Sequence, residues 1–131
     1  MIVEYVGLVE KTSEGYSLFF PDFPGCGSAG HNLEETRKNA REGLVGHLEL
    51  MVEHKEIIPK PSSLDKIMKL PEAKGCIPLV ISIIPPTTKA QRINITIDSG
   101  LLDAIDEMAM MQHTTRSALL AEAAQRLLGA L

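Results

Sequence analysis

The stretch Gln-Arg-Ile-Asn-Ile-Thr-Ile-Asp, residues 91–98, alternates strictly between polar and apolar side chains. In an extended chain Ile93, Ile95 and Ile97 fall on one side, and the polar residues between them fall on the other. This period of two predicts a β-strand with one buried face. A single strand needs a partner, however, because its backbone N–H and C=O groups must form hydrogen bonds.

The segment that follows offers helices rather than a second strand. It carries two apolar stripes at helical spacing, which consist of Leu101, Leu102, Ile105, Met108 and Ala109, and of Leu119, Leu120, Ala123, Leu127 and Leu128. Residues 87–131 are fewer than the roughly 60 at which isolated domains are already marginal. We therefore expect an obligate dimer, in which two copies pair their strands antiparallel about a two-fold axis.

The outward face of the paired strands would carry Arg92, Asn94 and Thr96. Arginine can bind guanine O6 and N7, asparagine can bind adenine N6 and N7, and threonine can contact a thymine methyl in a groove that admits a two-stranded ribbon. These residues predict direct reading of DNA bases. The alternative is a plain dimerisation module, since residues 87–131 hold four basic and five acidic side chains and form no basic patch.

Residues 90–130 resemble the ribbon-helix-helix DNA-binding modules of the MetJ and Arc repressors. The stretch Thr115-Arg116-Ser117 is similar to the Ser/Thr-Arg-Ser that opens the second helix in that family. The resemblance implies that Thr115, Arg116 and Ser117 hold a DNA phosphate at the positive helix end, with Thr115 as the N-cap. His113 stands where the family usually has glycine, and we expect it to adopt the left-handed turn.

The whole chain has 131 residues, a net charge of −4 and 44% apolar residues, which predict one or two small globular domains. An acid near the start, Glu4, argues against a signal peptide, and the apolar runs are too short to cross a bilayer. We therefore expect a cytoplasmic protein. Cys26 and Cys76 stand far apart in the sequence, so we expect neither a disulfide framework nor a zinc site, and no cofactor.

The N-terminal part predicts an α+β domain over residues 1–86, separate from the module at 87–131. Residues 2–10 and 16–20 predict a hairpin, with a third short strand near 27–29. A long helix is predicted from an Asn32 cap to about Glu53, with Leu33, Ala40, Leu44, Leu48, Met51 and Val52 on its buried side. Ser62 and Asp65 predict the cap of a short helix to Leu70. Residues 77–84 predict a fully buried strand.

The most distinctive stretch of this part is Phe20-Pro21-Asp22-Phe23-Pro24-Gly25-Cys26. Two prolines and a glycine predict an irregular turn, because proline donates no backbone hydrogen bond and glycine adopts angles that other residues avoid. Asp22 has two interpretations at this point: its carboxylate bonds N–H groups nearby, or it belongs to a contact surface for a partner.

Together with Tyr5, Gly15-Tyr16, Gly30, Asn39-Ala40 and Pro59-Lys60-Pro61-Ser62, this motif resembles the HicB antitoxin family over nearly the whole chain. The resemblance implies a partial ribonuclease H-like N-terminal domain that binds a HicA-type toxin, a basic ribonuclease that cuts messenger RNA. It implies Phe20, Asp22, Phe23 and Pro24 as toxin contacts, and a C-terminal module that represses its own operon by binding operator DNA. Two adjacent dimers, hence a tetramer, would sum several weak contacts into specific affinity.

Catalysis is not expected from this sequence. A ribonuclease H-type site needs several carboxylates around two metal ions, and Glu4, Glu10 and Asp22 have no matching acids at residues 77–84. His47 and His54 are too far apart for a shared metal and are expected to be solvated. Two other function classes stay open: a DNA-binding regulator whose N-terminal domain senses a small molecule, and an active nuclease.

Overall fold

The computed structural model describes residues 1–87 and 89–129. It separates into two compact units, Met1–Lys89 and Ala90–Leu131. The N-terminal unit contains β1 (Val3–Thr12), β2 (Gly15–Phe19), β3 (Gly27–Gly30), α1 (Leu33–Glu53), α2 (Leu64–Met68), a 3₁₀ turn (Pro71–Ala73) and β4 (Ile77–Ile83), and the C-terminal unit contains α3 (Ser99–Met111) and α4 (Arg116–Gly129). The predicted α+β class is confirmed. Within the described ranges, no helix combines the length and the apolar character needed to cross a membrane.

The N-terminal unit is built on a four-stranded sheet in the order β3-β2-β1-β4, with every neighbouring pair antiparallel. A tight turn joins β1 to β2, and it places Thr12 opposite Gly15. The hairpin and the short third strand are therefore confirmed. The strands β3 and β4 form the two edges.

The long helix α1 covers one face of this sheet. Its predicted cap is confirmed, since the Asn32 side chain accepts a hydrogen bond from the Glu35 N–H at 2.8 Å. The core between helix and sheet contains Tyr5, Val9, Leu18, Phe20, Phe23, Cys26, Ala40, Leu44, Leu48, Ile81 and Ile83. Leu33, expected in this core, is 45% exposed because it is the first residue of the helix and lies at its end.

The start of α1 lies very close to β3. A Cβ added to Gly30 would stand 2.6 Å from both the backbone N and the Oγ1 of Thr36. Thr36 is fully buried, and its hydroxyl donates to the Asn32 carbonyl at 2.8 Å. A side chain at position 30 would therefore push the helix off the sheet.

The second face of the sheet is covered by α2 and the 3₁₀ turn, through Ile67 and Ala73. The cap of α2 differs from the expected one: the Lys66 N–H donates to the Ser63 hydroxyl at 3.2 Å, and Ser62 is engaged elsewhere. The helix also ends at Met68 rather than at Leu70. After it the chain tightens into the 3₁₀ turn, where a proline follows Leu70 and restricts its backbone to extended angles.

The strand β4 was expected to be fully buried, and that expectation is wrong. Among the described strands it pairs with β1 alone and forms an edge, and Ile77 and Val80 are 61% and 40% exposed. Pro78 lies opposite Leu8 in this strand. An edge position suits proline, because it has no N–H to donate to a further strand.

Side chains of α1 form hydrogen bonds with a backbone carbonyl on each of the two edge strands. The Asn39 amide on α1 donates to the Ala29 carbonyl of β3 at 2.9 Å, and the Arg41 Nε donates to the Ser82 carbonyl of β4 at 3.0 Å. Open edges expose unpaired backbone groups that can pair with another chain. Here one carbonyl on each edge is occupied.

Two helices end in the same left-handed motif on residues other than glycine. Lys55 after α1 has φ 57° and His113 after α3 has φ 54°. At His113 the backbone N–H donates to Met110 at 3.2 Å, and the next N–H, that of Thr114, donates to Ala109 at 2.9 Å. This pattern is a Schellman cap. The left-handed turn predicted at His113 is therefore confirmed.

The C-terminal unit has almost no core within one copy. Among its described residues only Ala109 is buried. Residues 91–98 adopt no strand within the described chain, and Ile93 and Ile95 are 70% and 59% exposed. The predicted strand needs a second copy to pair with, so its formation stays a prediction.

Candidate functional site

The proline-bounded motif of residues 20–26 is a closed turn whose aromatic side chains point into the core. The Phe20 N–H donates to the Cys26 carbonyl at 3.1 Å, and the Phe23 N–H donates to the Phe20 carbonyl at 3.0 Å. Phe20 and Phe23 are each 2% exposed, whereas Pro24 is exposed. Their burial leaves Pro24 as the most exposed of the four predicted toxin contacts, with Asp22 half-buried.

Asp22 fastens this turn to a distant segment. Its carboxylate accepts the Ser62 backbone N–H at 2.9 Å and the Ser62 hydroxyl at 2.6 Å. The side chain of Asp22 therefore has a structural role, but through a distant segment rather than through N–H groups nearby in its own turn, and its part in a contact surface stays a prediction. Because Ser62 makes these two bonds, it does not cap α2.

Tyr5 makes a second connection to the same segment. Its hydroxyl donates to the Pro59 carbonyl at 2.6 Å, and its ring packs edge-on against Phe23 at 4.8 Å between centroids. Burial raises the pKa of the Tyr5 hydroxyl, and the nearby negative charge of Asp22 adds to the shift. His47, expected to be solvated, is half-buried with its ring 5.8 Å from that of Phe23.

An open groove of about 480 Å³ runs beside the turn. Its lining is mostly apolar, with one carboxylate from Glu72, and includes Phe19, Pro21, Pro24, Gly25 and Leu70. Of the four predicted toxin contacts, Pro24 and Phe20 line this groove, and Asp22 and Phe23 do not. The exposed part of the motif therefore borders this groove.

The acidic residues of the N-terminal unit do not converge. In residues 1–87 and 89–129, no three His, Cys, Asp or Glu side chains are placed to hold a metal ion together. Glu4 and Glu10 lie on β1, while Asp22 is bonded to Ser62. Glu10 lies near Cys76, whose thiol pKa is raised by burial and then by that charge.

The predicted base-reading residues Arg92, Asn94 and Thr96 are all exposed, and so are the two isoleucines between them. Ile97, the third isoleucine of the stretch, is half-buried against α3 and α4. It lines an apolar groove of about 630 Å³ together with Leu101, Ile105, Met108, Leu120 and Ala123. The apolar side of the segment is therefore only partly covered within one copy.

The predicted phosphate residues surround the start of α4. The Thr115 hydroxyl accepts the Ala118 N–H at 3.1 Å, which confirms the predicted cap. Arg116 and Ser117 are exposed beside it. The first backbone N–H groups of a helix form a positive end that attracts anions.

Arg116 has a partner that the sequence did not reveal. Its Nε donates to one carboxylate oxygen of Asp106 at 2.8 Å and its Nη2 donates to the other at 2.7 Å. The hydrogen bonds from Arg116 hold the pKa of Asp106 below its usual range, and the same pairing raises the pKa of Arg116. The two residues stand on different helices, so no helical spacing could have indicated the pair.

Comparison with known proteins gives matches over most of the chain. A family model described as HicB-like antitoxin of bacterial toxin-antitoxin systems matches residues 5–124. A relative from Haemophilus phage HP1 (strain HP1c1), described as an uncharacterized 14.9 kDa protein in the rep-hol intergenic region, is 37% identical over 127 residues. That match covers 93% of this chain and 96% of the relative.

Two solved structures are similar in fold and in sequence. The crystal structure of the Burkholderia pseudomallei antitoxin HicB matches with a TM-score of 0.58 and 30% identity, over 98% of both chains. A chain in the HicA3 and HicB3 toxin-antitoxin complex matches with a TM-score of 0.54 and 31% identity. It covers 62% of this chain and 95% of that chain.

Proposed function

The chain belongs to the HicB-like antitoxin family of bacterial toxin-antitoxin systems, and on that premise we propose that it neutralises a HicA-type ribonuclease toxin and represses its own operon. The observation that carries the proposal is the family match over residues 5–124, which extends across both compact units. In this proposal the chain acts in the cytoplasm, where messenger RNA and operator DNA are found. It catalyses no reaction itself.

Toxin binding is assigned to the predicted N-terminal domain, residues 1–86, as a partial ribonuclease H-like domain. In support, the similar chain in the HicA3–HicB3 complex is nearly fully covered by 62% of this chain. That chain belongs to a toxin-antitoxin complex, which supports a toxin partner for this chain. We place the contact at the groove beside Pro24, while Phe20, Asp22 and Phe23 hold the turn in shape from inside.

DNA binding is assigned to the C-terminal unit, as a dimeric ribbon-helix-helix module. In support, a unit with one buried residue among those described needs further apolar contacts to be stable. A second copy would supply them, because pairing of residues 91–98 brings Ile93 and Ile95 against both sets of helices. Arg92, Asn94 and Thr96 would then face the major groove, and Thr115, Arg116 and Ser117 would face a phosphate.

Affinity for the operator would come from several dimers rather than from charge alone. The unit Ala90–Leu131 holds three basic and five acidic residues. Phosphate contacts by so few cations give a weak sequence-independent contribution. A tetramer, made of two dimers on adjacent half-sites, would combine their contributions.

Co-expression tests both halves of the proposal. The chain is expressed together with a HicA-type ribonuclease toxin, and it should restore growth and co-purify with that toxin. Arg92→Ala and Asn94→Ala should each weaken binding to DNA from upstream of the gene by about 1–3 kcal/mol and relax base choice. Both variants should rescue growth as the wild type does. Loss of rescue in either variant would refute the division of function between the units.

A further inference from the structure

We propose that Asp106 is an internal competitor for DNA phosphate: its carboxylate occupies the Arg116 guanidinium at the start of α4 and so weakens DNA binding. The inference rests on the proposed DNA-binding function and adds a residue that opposes it. It assigns Asp106 a role that sets affinity without contacting bases.

The geometry of the pair is the first support. Arg116 meets Asp106 through two nearly parallel hydrogen bonds, at 2.8 Å from Nε and 2.7 Å from Nη2. Arginine binds phosphate oxygens in this same forked manner. A carboxylate that fills both positions of the fork leaves a phosphate only the remaining N–H donors of Arg116.

The exposure of the pair is the second support. The side chains of Arg116 and Asp106 are 53% and 43% exposed, so the ion pair stands at the surface where a DNA backbone could reach it. Exposed ion pairs contribute little to stability. Removing the carboxylate should therefore cost the fold little, whereas while the pair holds, the Arg116 guanidinium makes no forked contact with a phosphate and the affinity is reduced.

The low number of basic residues in the unit makes the pairing of Arg116 important for DNA affinity. Of the three basic residues in the C-terminal unit, Arg126 is also paired, with Glu122 on the same helix at 2.6 Å. Neutralising Asp106 would return one full positive charge to the surface beside the Thr115 cap. Because Arg116 lowers the pKa of Asp106, that carboxylate stays ionised throughout the physiological range.

The test compares Asp106→Asn with Glu122→Gln in the full chain. Both variants remove one carboxylate from an arginine–carboxylate pair and change the net charge equally, but only Asp106 bonds to the residue that follows the α4 cap. The probes are a duplex from upstream of the gene and a random-sequence duplex. Binding is measured over a range of salt concentrations.

Asp106→Asn should tighten binding to both duplexes about five-fold relative to Glu122→Gln at moderate salt. The dependence of log K on log salt should steepen by about 0.9, the value for one added phosphate contact. In the double variant Asp106→Asn with Arg116→Gln, the added slope should disappear. Asp106→Ser serves as a second neutral variant if the asparagine lowers the melting temperature of the unit.

Two results would overturn the inference while the proposed function stands. The first is a wild type that binds DNA while Asp106→Asn binds it no more tightly than Glu122→Gln does. The second is weaker binding by Asp106→Asn at an unchanged salt slope, which would mean that the pair stabilises the packing of α3 against α4. If neither the folded wild type nor Asp106→Asn binds any duplex, the DNA-binding function itself is refuted, and the inference falls with it.

Discussion

Asp22 and Ser62 are joined by two hydrogen bonds, although 40 positions separate them in the sequence. The bonds tie the irregular turn to the segment that leaves α1, and the Tyr5 hydroxyl fastens the same segment at Pro59. Three stretches of the chain thus share one polar junction at the edge of the core. The Asp22–Ser62 bonds hold the turn whose residues Pro21, Pro24 and Gly25 line the groove.

Replacing Asp22 by asparagine should lower the free energy of unfolding of the N-terminal unit by about 1–3 kcal/mol. Asparagine has one carbonyl oxygen and no charge in place of the two carboxylate oxygens, so it cannot reproduce both charge-assisted hydrogen bonds from Ser62. Urea unfolding followed by circular dichroism measures the change. Ser62→Ala combined with Asp22→Asn should cost less than the sum of the two single changes. Ser13→Ala, in the exposed hairpin turn, is the control and should be neutral; additive effects would refute the coupling.

Tyr5 should make the stability of this unit sensitive to alkaline pH. The pKa of its hydroxyl is raised above the unfolded value of 10.0, so the folded state favours the protonated form. The contribution is complete below pH 10 and is lost as the pH rises through the higher folded pKa. Tyr5→Phe should lower stability by about 0.5–1.5 kcal/mol at neutral pH. The difference between wild type and variant should shrink above pH 10; a constant difference would contradict this account.

Glycine at either left-handed helix end should stabilise the protein. Lys55 and His113 have φ 57° and 54°, a region that costs residues with a side chain more than it costs glycine. Lys55→Gly and His113→Gly should each gain about 0.5–1 kcal/mol, measured by thermal unfolding. The neighbours His54 and Gln112, with φ −86° and −91°, provide matched controls in which glycine should destabilise. Equal effects at the paired positions would show that the turn is not strained.

Lysine at Ile95 should abolish the proposed dimer. Ile95 is 59% exposed in the single chain, and pairing would bury it against the partner's helices. Sedimentation should therefore find Ile95→Lys monomeric and unable to bind DNA, with toxin rescue unchanged. Ile57→Lys, at an isoleucine that is 91% exposed in the N-terminal unit, adds the same charge and should leave the oligomer intact. A dimeric Ile95→Lys would show that the strands are not paired in this way.

Local signals predicted the parts of the fold that depend on neighbouring residues. The cap at Asn32 follows from its spacing to Glu35, whereas the cap at Thr115 and the turn at His113 follow from the resemblance to ribbon-helix-helix modules. Contacts between distant segments were not predictable in this way. Ser62 was expected to cap α2, but Asp22 takes its hydrogen bonds.

The other differences between prediction and structure follow from the topology of the fold. The apolar composition of β4 predicted burial on both faces, but its place at the edge of the sheet leaves Ile77 and Val80 exposed. In the candidate DNA site, the exposed position of Arg92 and the cap at Thr115 agree with the sequence pattern. The Asp106–Arg116 pair depends on how two helices meet, which one sequence does not specify.

The side chains of Asn39 and Arg41 bind carbonyls on opposite borders of the sheet, and this has a consequence for self-association at high concentration. An antitoxin must stay dispersed whenever it outnumbers its toxin. One carbonyl is occupied on each border and Pro78 lacks an N–H on one of them, so a neighbouring strand could not pair along the whole edge without breaking hydrogen bonds or missing one. We therefore expect surplus chains to resist joining, sheet to sheet, into fibrils.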